Sequence, residues 1–131
     1  MKIKVDPSKF GLLPEDTYDA SIAEIKLSEK TSRAGNRKVI VTLQLQSNAS
    51  DGAEVAGRKT SDSIAVTESL MWKFNQIFQA CKGEDMPAED FDDEQTFTDW
   101  LKSELEGETL SIRLSHELYE DQTQVRVNYI V

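Results

Sequence analysis

Between Gly11 and Leu27 the apolar positions alternate in two different phases. Tyr18, Ala20 and Ile22 fall on one side of an extended chain, with Asp19 and Ser21 on the other; after Ile22 the apolar set moves to Ala23, Ile25 and Leu27. A one-residue slip in a period-2 pattern turns the wrong face to the core unless the chain bulges or bends there. The pattern therefore predicts a long first strand, about 17–27, kinked so that both halves face one interior. Small closed barrels turn a corner in this way. A polar loop, SEKTSRAGNR, follows. In a second strand, 37–46, Val39, Val41, Leu43 and Leu45 alternate with Lys38, Thr42, Gln44 and Gln46, and only Ile40 is out of phase. The turn-rich stretch from Ser47 to Gly52 leads to a third strand, 55–66, with Ile64 and Val66 inward and Arg58, Lys59 and Asp62 in a polar stretch.

The period then changes to that of a helix. Leu70, Met71, Phe74, Ile77, Phe78 and Cys81 form one stripe over 68–82, with Thr67 as cap and Gly83 as stop. A second helix, 97–106, is expected to start at Thr96, with Asp99 as capping-box partner, and to stop at Gly107. Phe97, Leu101 and Leu105 line its inner side, with Trp100 on the edge. Two strands finish the chain, 109–115 and 124–130, joined by the polar turn HELYEDQT. Three strands, a helical insert and two more strands is the element order of a five-stranded oligonucleotide-binding barrel, a mainly β (α+β) fold with the helix between strands three and four. An α+β sandwich with the same order is the competing architecture. Residues 1–10, with the turn signal Asp6-Pro7, read as a flexible or loosely docked lead-in to a single domain over 11–131.

With 131 residues and 38% hydrophobic content, the chain has length for one core. It shows no apolar run of membrane-spanning length and no signal peptide, so a reducing, cytoplasmic setting is expected. Cys81 and His116 are the only residues of their types. One chain thus holds neither a disulfide framework nor a Cys/His zinc site. There is no glycine-rich phosphate loop and no histidine partner for a nucleophile. A binding protein without metal or cofactor is expected rather than an enzyme.

The net charge of −9 argues at first against nucleic acid, but it is polarised along the chain. Residues 84–108 hold eleven acids against one base, Lys102, whereas 26–82 hold nine bases against five acids.

The segment GLLPEDTYDASIAEIKLSEKTSRAGNRKVIVTLQL, followed by EVAGRKTSDSIAV, resembles a family of small bacteriophage early proteins. Their hallmarks are a Gly-x-x-Pro-x-x-x-Tyr element at the head of a curved strand, a basic loop, and a Gly-Arg-Lys turn into the third strand. Gly11, Pro14 and Tyr18, then Gly57, Arg58 and Lys59, stand at those positions, and the likeness covers 11–131. The resemblance implies an oligonucleotide-binding barrel that binds single-stranded DNA in phage replication or recombination, in the host cytoplasm. This chain departs from replication single-strand binders in two ways: its last residues carry no acidic tail, and strands two and three carry no aromatic residue.

The candidate nucleic-acid residues are Lys26, Lys30, Arg33, Arg37, Lys38, Arg58 and Lys59, on or beside the face of strands two and three that forms the groove in such barrels. Lys73 and Lys82, on the first helix, are the reserve candidates. Trp72, opposite the helix stripe, and Tyr119, in the last turn, are candidate stacking platforms or partner contacts. Tyr18, Phe74, Phe78, Phe97 and Tyr129 fall in apolar registers and read as core. In the acidic stretch, Glu89, Asp90, Phe91, Asp92 and Asp93 set one aromatic among carboxylates. That pattern is open to three readings: a solvated loop; an internal competitor for the basic groove or a peptide that docks on a phage or host replication or recombination protein; and, least favoured because the spaced ligands and turn glycine of a calcium loop are missing, a carboxylate metal site. Two functions follow. One is a single-stranded DNA binder of low sequence specificity, with self-association of the chain as an option. The other is an acidic inhibitor or adaptor that contacts protein alone.

Overall fold

The slip in apolar phase after Ile22 is a bulge. In the computed structural model, which describes residues 12–31 and 35–131 apart from the side chains at 30 and 31, β1 (Asp16–Thr31) runs antiparallel to β2 (Arg37–Leu45). Ile22 faces Leu43 and Glu24 faces Thr42, so Ala23 is the extra residue. Ala23 is therefore exposed rather than inward, and the apolar series resumes with buried Ile25.

The bulge divides the work of β1. Its first half, from Asp16 to Ser21, also pairs with β4 (Thr109–Tyr119). At the bulge the Ile22 amide donates to the Glu108 carbonyl at 2.9 Å, and the Gly107 amide donates to the Ile22 carbonyl at 2.8 Å. Beyond it β1 leaves β4, and the freed edge amide of Ile25 donates to the Glu106 carboxylate at 3.1 Å. A half-buried amide without that partner would cost free energy comparable to a lost hydrogen bond.

With β3 (Lys59–Ala65) and β5 (Gln122–Tyr129) the strands form one antiparallel sheet in the order β3-β2-β1-β4-β5. The fold is mainly β, with its helices in the connection from β3 to β4. The expected barrel is an open sheet at the level of backbone pairing: among the described residues no ladder joins β3 to β5. Side chains connect these edges instead. The Tyr129 hydroxyl donates to Asp62 Oδ2 at 2.7 Å, and Lys73 lies 3.7 Å from the other carboxylate oxygen. Asp62, read from the sequence as part of a polar stretch, points into the fold, opposite buried Val41.

Several element ends differ from expectation. A 3-10 turn, Glu68–Leu70, precedes α1 (Met71–Lys82), because the Thr67 hydroxyl meets Ser69 Oγ at 3.1 Å and caps no backbone amide. The stop at Gly83 is as expected, with φ of 75°, a left-handed conformation that favours glycine. Helix α2 (Glu94–Leu105) starts a turn earlier than the capping-box pattern suggests: Asp93 is the cap, accepting from the Thr96 amide at 2.7 Å. β1 runs on to Thr31, so Lys30 belongs to a strand rather than a loop. β3 begins at Lys59, and the eight-residue turn expected at 116–123 is a two-residue one, Glu120-Asp121, between longer strands. The lead-in 1–10, motif position Gly11 and candidate Arg33 lie outside the described residues.

The core lies between the sheet's inner face and the two helices. Val39, Val41, Leu43 and Leu45 of β2 are fully buried, as are Ile64, Ile112 and Leu114 from the neighbouring strands. Each such side chain contributes about 1.5–3 kcal/mol by leaving water. Phe74 and Phe97 pack edge to face at 5.1 Å, joining α1 to α2, and Phe78 stacks on Trp100. Tyr18, Phe74, Phe78, Phe97 and Tyr129 are all buried, as their registers predict. No helix among the described residues is long and apolar enough to cross a membrane.

Candidate nucleic-acid interface

Because β2 buries every second residue, the alternate set is presented outward: Lys38, Ile40, Thr42 and Gln44. The β2–β3 register sets Ala65, Ser63, Ser61 and Lys59 beside them in turn. Thr42 and Ser61 hydroxyls lie 3.4 Å apart across the two strands. On the other side of β2, Lys26 stands level with Ile40 and Glu24 with Thr42. The result is a sheet face of lysines, hydroxyls and amides, with Ile40 at its centre and Glu24 on its β1 side. The outward positions of β2 and β3 carry no carboxylate, because the one acid in those strands, Asp62, is turned inward.

The basic candidates divide by what they touch. Lys26, Lys38 and Lys59 are exposed on this face, Lys26 with Glu24 at 3.7 Å. Lys38 and Lys59 sit at opposite ends of the β2–β3 ladder, about 20 Å apart at roughly 3.3 Å per residue. The structure thus spreads the expected cluster into a track along the strands. Arg37 is tied down: its Nε donates to the Ser28 carbonyl at 2.8 Å, and its amide donates to the Glu94 carboxylate at 3.0 Å. Arg58 is half-buried in the turn before β3, near enough to Tyr18 to offset part of the rise that burial imposes on its hydroxyl pKa. Lys30 has a place in β1 by backbone alone. The reserve candidates Lys73 and Lys82 pair with Asp62 and with Glu108, the latter at 3.1 Å.

The two candidate platforms are exposed and lie elsewhere. Trp72 is 60% exposed on the first turn of α1. Tyr119, 59% exposed beside Leu118 at 72%, ends a hairpin that projects beyond the Asp16–Leu114 pair, whereas Lys26 and Lys38 stand toward the other end of β1. Neither ring belongs to the β1–β3 face.

The acidic stretch is folded onto the helices. Phe91 packs with its ring centroid 5.3 Å from both Phe97 and Trp100. Phe91 is half-buried at the edge of the core, while Glu89, Asp90, Asp92 and Asp93 around it are exposed. Asp93 has the further task of capping α2. The hydrogen bond from the Arg37 amide brings the Glu94 carboxylate, at the end of this stretch, to the start of β2, next in the chain to Lys38. Beside Phe91, Val66, Met71 and Met86 help to line an open hollow of about 490 Å³.

Sequence reasoning missed the Thr42, Ser61 and Ser63 hydroxyl row, whose signal is the alternation of small polar residues in TSDS, and missed the hollow, whose parts are distant in sequence. It also passed over Arg113 and Arg126, exposed on β4 and β5. Among the described residues no group of three His, Cys, Asp or Glu side chains is placed to hold a metal ion. No protein-family model matches the chain, and no curated protein matches it.

Proposed function

We propose that this chain is a single-stranded DNA-binding domain of the oligonucleotide-binding-barrel kind, acting in phage replication or recombination in the host cytoplasm. The observation that carries the reading is the outward face of β2 and β3: in a protein of net charge −9 it presents Lys38 and Lys59, two serines, a threonine and a glutamine, with no carboxylate. Lysines with hydroxyl and amide donors suit phosphate and sugar oxygens, contacts that hold a strand without reading its sequence. The bulged β1, shared between β2 and β4, and the Tyr129–Asp62 link between edge strands support closure into such a barrel.

The face carries no aromatic, so the stacking that gives other single-strand binders about 1–3 kcal/mol per base is absent from it. Binding on this reading is electrostatic, modest in affinity and indifferent to sequence. The protein binds and does not catalyse. Anisotropy titrations with labelled single-stranded DNA, duplex DNA and single-stranded RNA, at about 50 and about 200 mM salt, test it. The expected result is single-strand binding that weakens as salt rises. No binding at micromolar protein in about 50 mM salt, or a preference for duplex, would overturn it.

A further inference from the structure

The hollow beside Phe91 has an apolar floor and an acidic rim. Met71, Met86, Phe91 and Trp100 are each only partly buried, although they pack against the core. The space they help to line, about 490 Å³, falls within the range of ligand-sized clefts, about 300–1,000 Å³. Glu68, Glu89, Asp90, Asp93 and Glu94 line the same hollow, and among the described residues no Lys, Arg or His does. Asp93 and Glu94 are occupied by backbone amides. Among the described residues the side chains of Glu68, Glu89 and Asp90 make no hydrogen bond or ion pair, and all three residues are exposed, so their charge is directed at solvent.

We propose that this hollow is a docking site for a basic protein segment, one that inserts a large apolar side chain onto Phe91 and Trp100 and sets flanking lysines or arginines against Glu68, Glu89 and Asp90. Charge complementarity selects the occupant. A rim of carboxylates without a base repels phosphate and anionic lipid, while the apolar floor leaves a purely hydrophilic cation with nothing to cover it. Two methionines in the wall suit a site that adapts to the inserted side chain. The acidic stretch therefore receives a partner's anchor instead of donating its own. This inference does not depend on DNA binding.

Two fluorescein-labelled nine-residue peptides test it on the full chain: one of lysines and arginines around a central tryptophan, the other with alanine in its place. The tryptophan peptide is expected to bind at least about tenfold more tightly than the alanine peptide, as burial of one large apolar side chain implies. Replacing Glu68→Gln, Glu89→Gln and Asp90→Asn together should weaken it several-fold and flatten its salt dependence, and these exposed positions leave the fold intact. Phe91→Ala should abolish the advantage of tryptophan over alanine. Equal binding of the two peptides would reduce the effect to general attraction by an acidic protein and overturn the site. Binding that the triple replacement leaves unchanged, or no binding of either peptide, would overturn it as well.

Discussion

Tyr129 on β5 donates a 2.7 Å hydrogen bond to Asp62 on β3, so the two edge strands of the sheet meet through side chains where, among the described residues, no backbone ladder joins them. Lys73 of α1 completes the group. Burial pushes the Tyr129 hydroxyl well above its ordinary value of 10.0, and the negative charge of Asp62 adds to the shift. Tyr129→Phe should destabilise the protein by about 1.5–3 kcal/mol near neutral pH, the usual range for a hydrogen bond to a charged partner.

The same pair sets a response to alkali. A pKa raised by folding means that the native state holds this proton more tightly than the unfolded chain. The stability it supplies is complete below about pH 10 and is lost as pH rises through the folded pKa. Urea midpoints for the native sequence should hold steady up to about pH 10 and fall from about pH 10 to about pH 12, and Tyr129→Phe should show a smaller fall. Part of the fall should persist, because burial also raises the pKa of Tyr18. An equal fall in the variant would place the alkaline sensitivity elsewhere.

Asp93 makes the opposite prediction. Its carboxylate caps α2, and the hydrogen bond from the Thr96 amide lowers its pKa below 3.8. A depressed carboxylate pKa gives stability that is present above the unfolded value and lost as pH falls through the folded one. Asp93→Ala should lower the thermal midpoint by a few degrees at neutral pH, whereas Asp93→Asn, which still caps, should lose less and show a weaker acid dependence. Asp16, lowered by its hydrogen bond from the Ser50 amide, belongs to the same acid response. Thermal scans from about pH 3 to pH 7 distinguish the two replacements.

The thiol of Cys81 should be inert. Burial raises its pKa from 9.0 to about 11, with Glu108 adding to the effect. The thiolate is the reactive form, so at about pH 8 labelling by a disulfide reagent should run at least tenfold more slowly than for a small free thiol. Urea should restore the ordinary rate. Fast labelling of the native protein would contradict the burial of this side of α1.

At the tip of the β4–β5 hairpin, Glu120 and Asp121 adopt φ of 48° and 64°, left-handed values that two-residue hairpin turns require and glutamate rarely adopts. Replacing the pair with Asn-Gly should remove strain of about 1 kcal/mol. Slower amide exchange over Leu118–Thr123 and a thermal midpoint higher by a few degrees are the expected signs.

What the sequence made legible was local. The phase slip at Ile22 marks the bulge because it breaks a period-2 pattern, and the alternation in β2 separates Lys38, Thr42 and Gln44 from the core. Gly83 marks the end of α1 through its own conformational freedom. The outer reaches of β1, β4 and β5 were not legible, because beyond Leu27 only Thr31 is in register with β2, and His116–Tyr119 and Gln122–Thr123 are paired in a ladder that leaves little trace in an exposed hairpin. Long-range partners were hidden for another reason. Nothing near Asp62 in the chain points to Tyr129 or Lys73, and nothing near Phe91 points to its packing against Trp100. For the candidate site, alternation identifies Lys26 and Lys38 as outward, but it cannot show that Ser28 takes the Arg37 guanidinium.

The most direct test of the proposed binding face is the salt dependence of single-stranded DNA affinity, measured for the native sequence and for Lys26→Ala, Lys38→Ala and Lys59→Ala combined. On single strands each neutralised phosphate contributes about −0.7 to the slope of log affinity against log salt. If the three lysines contact phosphates, the variant should bind more weakly and its slope should be shallower by about 2, with its thermal midpoint little changed. An identical slope and affinity would contradict the assignment of the β1–β3 face.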